Sequence, residues 1–223
     1  MAQDDLVVRL SKLDTCAVSD ALDRLGLKGA TIGIRPVWAC PRIAGRAVTV
    51  KIKPAGLEKS KQHLGTPAIE AATAGDVIVV DNGGRPDVSG WGGLLSLASK
   101  MKGLSGVVVD GACRDVDESR DVGFPVYARA VVPVTARGRI MQDSFNVEIQ
   151  CGGVQVHPGD YVIADGSGVV IIPQQKAQEV VTEAEKIAAT EARMAEEVRK
   201  GRPVVEVMEN LGYESMLRSD KEK

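Results

Sequence analysis

The chain has 223 residues, of which 44% are hydrophobic, so it is long and apolar enough to bury a substantial core. Aromatic residues make up only 3% and the formal net charge is −2, which argues against a basic or base-stacking surface for nucleic acid. The start of the chain has no apolar stretch of signal length, and no apolar run approaches the roughly 20 residues of a membrane span. With four cysteines in no CxxC pair, these features predict a cytoplasmic protein with free thiols and no membrane partner.

The first element predicted along the chain is a helix over residues 11–25. Its apolar residues recur at helical spacing, Asp14 or Thr15 can cap its start, and Gly26 can end it. Glycine and proline recur from Gly26 to Pro41, which predicts loop and short extended pieces.

The middle of the chain predicts a βαβ unit. The runs Val77–Val80 and Val107–Val109 are continuous and apolar, as in strands buried on both faces, and residues 94–102 between them have a helical pattern. The strand of the first run is expected to end at Asp81. Further strands are predicted over residues 47–52, 126–130, 154–156, 161–163 and 169–172.

Residues 74–81 and 158–165 repeat one design, a Gly-Asp turn that leads into an apolar strand ending in Asp. From Gln174 to Lys200 the sequence is rich in Ala, Glu and Lys without Gly or Pro, which predicts one long amphipathic helix. We therefore divide the chain into a domain over residues 1–173 and a helical arm of the same domain over residues 174–223.

The first candidate site is the glycine-rich segment Gly90–Leu95, which opens the helix of the βαβ unit. Glycines let the backbone approach a ligand closely, and a helix N-terminus offers unpaired N–H groups to a carboxylate or phosphate. The alternative is a tight loop that only packs on its sheet.

The second candidate site is the segment Asp110–Glu118, which follows the strand Val107–Val109. Ligands of parallel sheets gather at the carboxyl ends of strands, so both candidates are expected at one edge. Arg114 can polarise a keto oxygen or pair with a carboxylate, and Asp115 can hold a hard divalent cation. The alternative is a solvated helix start, because acidic residues are favoured there.

Single histidines and cysteines give weaker signals. His157 precedes Pro158-Gly159-Asp160 and is interpreted as a turn residue, whereas His63 is interpreted either as a surface residue or as a site residue. Cys113 adjoins Arg114, but without a basic histidine placed beside it we expect a buried neutral thiol.

The two candidate segments resemble one family. Gly90-Trp91-Gly92-Gly93-Leu94-Leu95 and the stretch from Val109 to Asp117 are similar to class II pyruvate aldolases acting on 4-hydroxy-4-methyl-2-oxoglutarate and 4-carboxy-4-hydroxy-2-oxoadipate. The same family contains protein inhibitors of ribonuclease E, called regulator of RNase activity A. The resemblance covers roughly Leu13 to Pro173, including Ser19–Leu22 and Asp165–Val170.

The resemblance implies a swivelling β/β/α fold with a long C-terminal helix, and homotrimers that can pair into hexamers with sites between subunits. It implies that a Mg²⁺ or Mn²⁺ ion is held by Asp115, largely through waters, and that Arg114 contacts the keto oxygen of pyruvate. An acid from a neighbouring subunit's C-terminal helix, matched here to Glu191, orders the metal waters. The family's loop that binds the substrate carboxylate is matched by Gly92, Gly93, Leu94 and Leu95.

One position departs from the family pattern. The family places an Asp 21 residues before the arginine, and this chain has Gly93 there. That Asp organises metal-bound water and takes part in proton transfer, so its absence bears directly on aldolase activity. The candidates to replace it are Asp81, Asp87, Asp110 and His63.

The residues and the resemblance together predict a divalent-metal-dependent lyase. It would cleave a 4-hydroxy-2-oxo acid to pyruvate and decarboxylate oxaloacetate as a side activity, since both reactions pass through a pyruvate enolate. One alternative is a non-enzymatic regulator that binds an RNA-processing enzyme such as an RNase. Another is a related lyase or hydratase acting on a different oxo acid.

Overall fold

The computed structural model describes residues 4–56 and 63–213. They form a mixed α/β domain with a long C-terminal helix, which confirms the predicted fold class. A 3₁₀ turn at Gln174–Lys176 leads into that helix. The α-helices are α1 (Asp5–Leu10), α2 (Thr15–Arg24), α3 (Thr66–Ala71), α4 (Gly93–Met101), α5 (Val116–Asp121), α6 (Ala177–Arg199) and α7 (Val204–Asn210).

The strands form an eight-stranded sheet and a separate two-stranded sheet. The strands are β1 (Arg35–Pro36), β2 (Ile43–Pro54), β3 (Val77–Ser89), β4 (Gly106–Cys113), β5 (Val126–Val131), β6 (Ile140–Phe145), β7 (Ile149–Cys151), β8 (Val154–Val156), β9 (Tyr161–Asp165) and β10 (Gly168–Ile172). The large sheet has the order β1-β5-β4-β3-β2-β9-β10, with β6 also paired to β2, and the small sheet is β7-β8.

Strand β2 joins the parallel and antiparallel parts of the large sheet. Residues 43–46 pair antiparallel with β9, whereas residues 47–51 pair parallel with β3. Strands β2, β3, β4 and β5 are parallel neighbours, so their carboxyl ends lie at one edge. The predicted βαβ unit is therefore present as β3-α4-β4, and it brings the two candidate segments to that edge.

The long helix α6 packs on α2 within its own chain. Its apolar residues Ala177, Val180, Val181, Ala184 and Ile187 are all buried in a cluster with α2, β9 and β10. An amphipathic helix of this kind needs a surface to cover its apolar face, and here α2, β9 and β10 of the same chain supply that surface. An intramolecular partner already covers the face, so α6 does not by itself argue for an oligomer.

The repeated Gly-Asp design forms the same turn twice. Gly75 and Gly159 have φ of 93° and 86°, a left-handed conformation that glycine adopts without strain. Asp76 accepts a hydrogen bond from the backbone of Thr73 at 2.7 Å, and Asp160 accepts one from His157 at 2.8 Å. His157 is therefore a turn residue, as predicted.

Two predicted boundaries differ from the structure. Strand β3 does not end at Asp81 but continues irregularly to Ser89, because Arg85 and Ser89 still pair with Gly111 and Ala112 of β4. Helix α2 begins at Thr15, where the Asp14 side chain accepts from the backbone N–H of Ala17. Helices α1 and α3 and strands β6 and β7 were not predicted. In the part of the chain that the structure describes, none of the helices combines the length and apolar character that crossing a membrane requires.

Candidate functional site

Backbone hydrogen bonds hold the two candidate segments together. The N–H of Gly90 donates to the carbonyl of Ala112 at 2.8 Å, and the N–H of Arg114 donates to the carbonyl of Trp91 at 3.0 Å. The glycine segment therefore extends the pairing of β3 with β4 beyond the regular strands. This fixes the start of α4 against the start of α5.

The carboxylate of Asp115 lies directly against the start of α4. Its Oδ2 accepts from the N–H of Gly93 at 3.0 Å and lies 3.3 Å from Nε of Arg114. A Cβ on Gly92 would lie 2.7 Å from the same oxygen, so only glycine leaves room for this carboxylate. Gly92 is thus required by close approach rather than by its φ of −154°, which any residue can adopt.

Asp115 itself has a strained backbone. Its φ and ψ of 56° and 45° are left-handed, a conformation that costs a non-glycine residue about 1–3 kcal/mol. The strain places the side chain back over Gly93 instead of along α5. Strain of this kind persists where the surroundings enforce it, and it is concentrated at functional sites.

A buried chain of hydroxyl hydrogen bonds joins α4 to α5 below the site. Oγ of Ser96 lies 2.8 Å from Oγ of Ser119 and accepts from Nε1 of Trp91 at 3.0 Å. Oγ of Ser119 in turn donates to the carbonyl of Asp115 at 3.1 Å. The indole of Trp91 is 2% exposed and stacks on Phe124, so it forms a rigid floor.

These elements surround a cavity of about 430 Å³. Arg114 and Asp115 line it together with Gly92, Leu94 and Leu95. The side chains of Arg114 and Asp115 are partly exposed, with exposed fractions of 39% and 33%. The amides of Leu94 and Leu95 lie in the first turn of α4 and have no acceptor in the described part of the chain, because the first bond of the helix runs from Ser96 to Gly92.

Of the four predicted replacements for the missing acid, only His63 lines this cavity. Asp110 is buried and held by Arg129 and the N–H of Gly152. Asp81 accepts from the N–H of Gly83 at 2.9 Å, and Asp87 is exposed and paired with Arg85. The three aspartates are therefore wrong as replacements within this chain.

One ring nitrogen of His63 is directed to the backbone of the next residue. Its Nδ1 lies 3.1 Å from the carbonyl oxygen of Leu64, which fits an Nδ1–H donor. In that neutral tautomer Nε2 is the proton acceptor.

Cys113 is fully buried at the end of β4. Burial, with smaller contributions from the nearby Cys40 and Asp115, raises the pKa of its thiol to about 12. The thiol is therefore protonated at neutral pH, as predicted, and is not a nucleophile.

Glu191 lies on α6 and does not line the cavity of its own chain. Desolvation, followed by the charges of Asp14 and Asp20, raises the pKa of its carboxyl. Its role at a neighbouring subunit's site stays a prediction.

One part of the cavity lining was not predicted from the sequence. It consists of Thr135, Ala136 and Arg137, on the loop between β5 and β6. This loop has no motif or periodicity, and it reaches the cavity only because β6 returns to pair with β2.

Comparisons with known proteins identify the family of the chain. The chain is similar to protein DlpA of Legionella pneumophila, with 30% identity over 210 residues that cover 94% of this chain and 34% of DlpA. It thus spans about a third of that relative's length. It is 32% identical to the 4-hydroxy-4-methyl-2-oxoglutarate aldolase of Thermus thermophilus over 133 residues, which cover 60% of this chain and 77% of the relative.

Among solved structures, the chain resembles Streptomyces coelicolor RraAS2, described as an unusual member of the RNase ES inhibitor RraA protein family. The TM-score is 0.78 at 28% identity, and the match covers 91% of this chain and 100% of that one. The family model for RraA-like proteins, described as Aldolase/RraA, matches residues 15–171. The chain therefore belongs to the RraA-like family of aldolases and RNase regulators.

Proposed function

We propose that this protein is a divalent-metal-dependent carbon–carbon lyase. It cleaves a 4-hydroxy-2-oxo acid of the 4-hydroxy-4-methyl-2-oxoglutarate type to pyruvate, and it decarboxylates oxaloacetate as a side activity. The observation that carries the proposal is the convergence of Arg114, Asp115 and the free amides of α4 on one cavity.

The first step is binding of the 2-oxo acid. The free amides of Leu94 and Leu95 and the positive end of the α4 dipole suit the substrate carboxylate. The guanidinium of Arg114 then faces the keto oxygen. As the bond between C3 and C4 breaks, negative charge develops on that oxygen, and a fixed cation that is already in place stabilises it.

Asp115 is the residue that would hold the cation. It is the carboxylate that lines the cavity, and with Oδ2 engaged by Gly93 its Oδ1 is available to a ligand. The described residues contain no cluster of three or more His, Cys, Asp or Glu side chains placed for a metal, so the ion would keep mostly water ligands. This donor set fits Mg²⁺ or Mn²⁺. When bound, the ion would supply Lewis-acid stabilisation of the enolate.

Cleavage also requires removal of the proton from the C4 hydroxyl. We assign this step to Nε2 of His63, because His63 lines the cavity and its Nδ1 is directed to the carbonyl oxygen of Leu64. A general base in this position accounts for rate factors of about 10²–10⁴. No lysine is required, because an enolate stabilised by cations needs no Schiff base.

The test is pyruvate release from 4-hydroxy-4-methyl-2-oxoglutarate and from oxaloacetate, in EDTA-treated buffer with and without added Mg²⁺. Arg114→Ala and Asp115→Ala are each expected to lose about 10²-fold or more in turnover while keeping the fold. Arg120→Ala is the matched control, because Arg120 lies exposed on α5 and pairs with Asp117. Wild-type turnover in both site variants, with and without Mg²⁺, would show that the site is wrongly assigned.

The second candidate function is regulation of an RNA-processing enzyme. It is favoured by the similarity to RraAS2 and by Gly93, which removes the family's acid from the site. A pulldown of the RNase by the purified protein tests it directly. Binding that survives Arg114→Ala, together with no pyruvate release from either substrate, would favour this function over the lyase.

We also propose that the protein is a cytoplasmic homotrimer or hexamer whose sites lie between subunits. Support comes from the family and from an exposed apolar stripe on α4 beside the cavity, formed by Leu94, Leu97 and Met101. All four cysteines are free thiols, which suits a reducing compartment.

A further inference from the structure

The cavity is lined by a second arginine, which lies on a different segment of the chain from Arg114. Arg137 lies on the loop between β5 and β6 and lines the same cavity as Arg114 and Asp115. The loop is held at several points, so it presents Arg137 in a defined place. The N–H of Ser89 donates to the carbonyl of Val134 at 3.2 Å, and the N–H of Ile140 donates to the carbonyl of Ala136 at 3.1 Å.

Arg137 has no acidic partner within residues 4–56 and 63–213. Its backbone N–H donates to Oγ1 of Thr135 at 3.3 Å, but its guanidinium takes part in no ion pair or hydrogen bond there. The other cation of the cavity differs, because Arg114 lies 3.3 Å from the carboxylate of Asp115. The charges of Arg114 and Asp115 offset each other, so Arg137 gives the cavity lining a net positive charge.

Much of the remaining cavity lining is apolar, and the cavity has the size of a small ligand. Trp91, Leu94, Leu95 and Ala98 line it, and the cavity volume of about 430 Å³ lies in the usual range for small-molecule sites. A ligand whose one carboxylate lies at the start of α4 therefore shares this cavity with apolar side chains and with a second, unpaired cation.

We propose that Arg137 is a specificity-determining residue that binds a second carboxylate on the substrate, so that the site selects dicarboxylic 2-oxo acids over monocarboxylic ones. This inference rests on the proposed function for the orientation of the ligand, because it takes the 2-oxo acid end to be the one held at Arg114. A guanidinium binds a carboxylate through two parallel N–H groups, which gives orientation as well as affinity.

The experiment measures binding rather than turnover. Titration calorimetry compares 2-oxoglutarate with 2-oxopentanoate, which has the same 2-oxo acid end but lacks the second carboxylate, in the presence of Mg²⁺. The wild-type protein is expected to bind 2-oxoglutarate at least about 10-fold more tightly, the lower range for a hydrogen bond to a charged group. In Arg137→Ala this ratio is expected to fall close to one, with the affinity for 2-oxopentanoate unchanged.

Arg139→Ala is the matched control. Arg139 lies on the same loop and is also exposed, but it does not line the cavity and its guanidinium donates to the carbonyl of Thr135. It is expected to keep the wild-type ratio, and Arg137→Lys is expected to keep part of it because the charge remains. An equal loss of the preference for 2-oxoglutarate in Arg137→Ala and Arg139→Ala would show that the effect comes from general surface charge, and it would overturn the proposal.

Two further results would overturn it: a wild-type protein without preference for the dicarboxylate, and an Arg137→Ala variant that keeps the preference. Failure of the lyase function gives a different pattern. In that case the preference and its loss in Arg137→Ala are observed, but no pyruvate is released from any 4-hydroxy-2-oxo acid. That pattern supports the role of Arg137 and rejects the reaction.

Discussion

The backbone N–H of Gly93 donates to Oδ2 of Asp115 at 3.0 Å, which ties the first residue of α4 to the residue that precedes α5. The bond uses one of the free donors of the α4 N-terminus, and it fixes one oxygen of a carboxylate whose residue lines the cavity. Asp115 reaches this position from a left-handed backbone conformation. The contact therefore depends both on that conformation and on the space that Gly92 leaves for the carboxylate.

Gly92→Ala tests this fit. The added Cβ would lie 2.7 Å from Oδ2 of Asp115 and 3.4 Å from Nε of Arg114, so the carboxylate has to move away from Gly93. We expect turnover to fall by about 10²-fold, as when one oriented catalytic contact is lost. The fold is expected to survive, since the φ of Gly92 suits alanine. Pyruvate release and circular dichroism measure the two effects.

Gly166→Ala is the matched control, because a Cβ there meets no atom within 4 Å. It is expected to keep wild-type turnover. If Gly92→Ala also keeps it, the position of the Asp115 carboxylate does not matter for catalysis.

The sequence predicted the site wherever one local pattern determined the geometry. Continuous valine runs gave β3 and β4, and the helical pattern between them gave α4, so Gly92 and Arg114 could be placed at one sheet edge. The turn at Asp76 was predictable for the same reason, because glycine and aspartate at fixed spacing specify it locally.

Features that depend on long-range contacts were not predictable. Arg137 reaches the cavity only because β6 pairs with β2, and the sequence has no local signal for that pairing. The helix α6 carries an apolar face, but its sequence does not state whether α2 or another subunit covers it. Likewise, the aspartates near Gly93 in sequence gave no sign that Arg129 and Arg85 already hold Asp110 and Asp87.

Asp165 is expected to make stability depend on pH. Burial raises the pKa of its carboxyl, but hydrogen bonds from Thr15 and Ser167 and the charge of Arg42 outweigh it, so the pKa is lowered overall. A lowered folded-state pKa stabilises the fold above the unfolded-state pKa of about 3.9, and the effect is lost as pH falls through the folded value.

Asp165→Ala removes these hydrogen bonds, including those from the N–H of Thr15 at 2.9 Å and its hydroxyl at 2.7 Å. We expect the free energy of unfolding at pH 7 to fall by about 2 kcal/mol, and the difference from wild type to shrink below about pH 4. Urea unfolding at pH 7, 5 and 3 measures it, with exposed Glu206→Ala as the control. A difference that is the same at pH 3 as at pH 7 would contradict the assignment.

The exposed stripe on α4 predicts where subunits meet. Leu94 and Met101 are each 79% exposed and Leu97 is 43% exposed, and their spacing puts them on one helix face. We expect light scattering of the wild type to give three or six times the 23.6 kDa chain mass. Leu97→Glu combined with Met101→Glu is expected to break up the assembly and so lower the mass measured by light scattering, because charges in an apolar interface are costly to desolvate.

Ile32→Glu is the control for surface charge, since Ile32 is 72% exposed but lies on the loop before β1. It is expected to leave the mass unchanged. A wild-type protein that is monomeric at micromolar concentration would end the oligomer proposal.

The last prediction concerns Gly93, where the family pattern has an aspartate. Gly93 does not have a left-handed φ, so its backbone accepts another residue. The space beside it is nevertheless occupied: a Cβ at this position would lie 3.0 Å from Cβ of Glu118 and 3.1 Å from Cβ of Asp115. Glu118 thus fills the region into which a side chain at position 93 would extend.

We therefore expect Gly93→Asp alone to gain little, because the new carboxylate is crowded and adds a third negative charge beside Asp115 and Glu118. Glu118→Ala in addition to Gly93→Asp removes the Glu118 charge and the Cγ that would lie 3.5 Å from the new Cβ. The contacts with the two Cβ atoms stay, and they require shifts of only a few tenths of an ångström. In the double variant we expect Mg²⁺-dependent cleavage of 4-hydroxy-4-methyl-2-oxoglutarate, or decarboxylation of oxaloacetate, to rise by about 10²-fold over wild type, the scale of a positioned acid or base. Glu118→Ala alone is the control and is expected to show no such gain. A folded double variant that gains on neither substrate, and that binds no Mg²⁺ by calorimetry, would mean that the cavity beside Asp115 does not support aldolase chemistry.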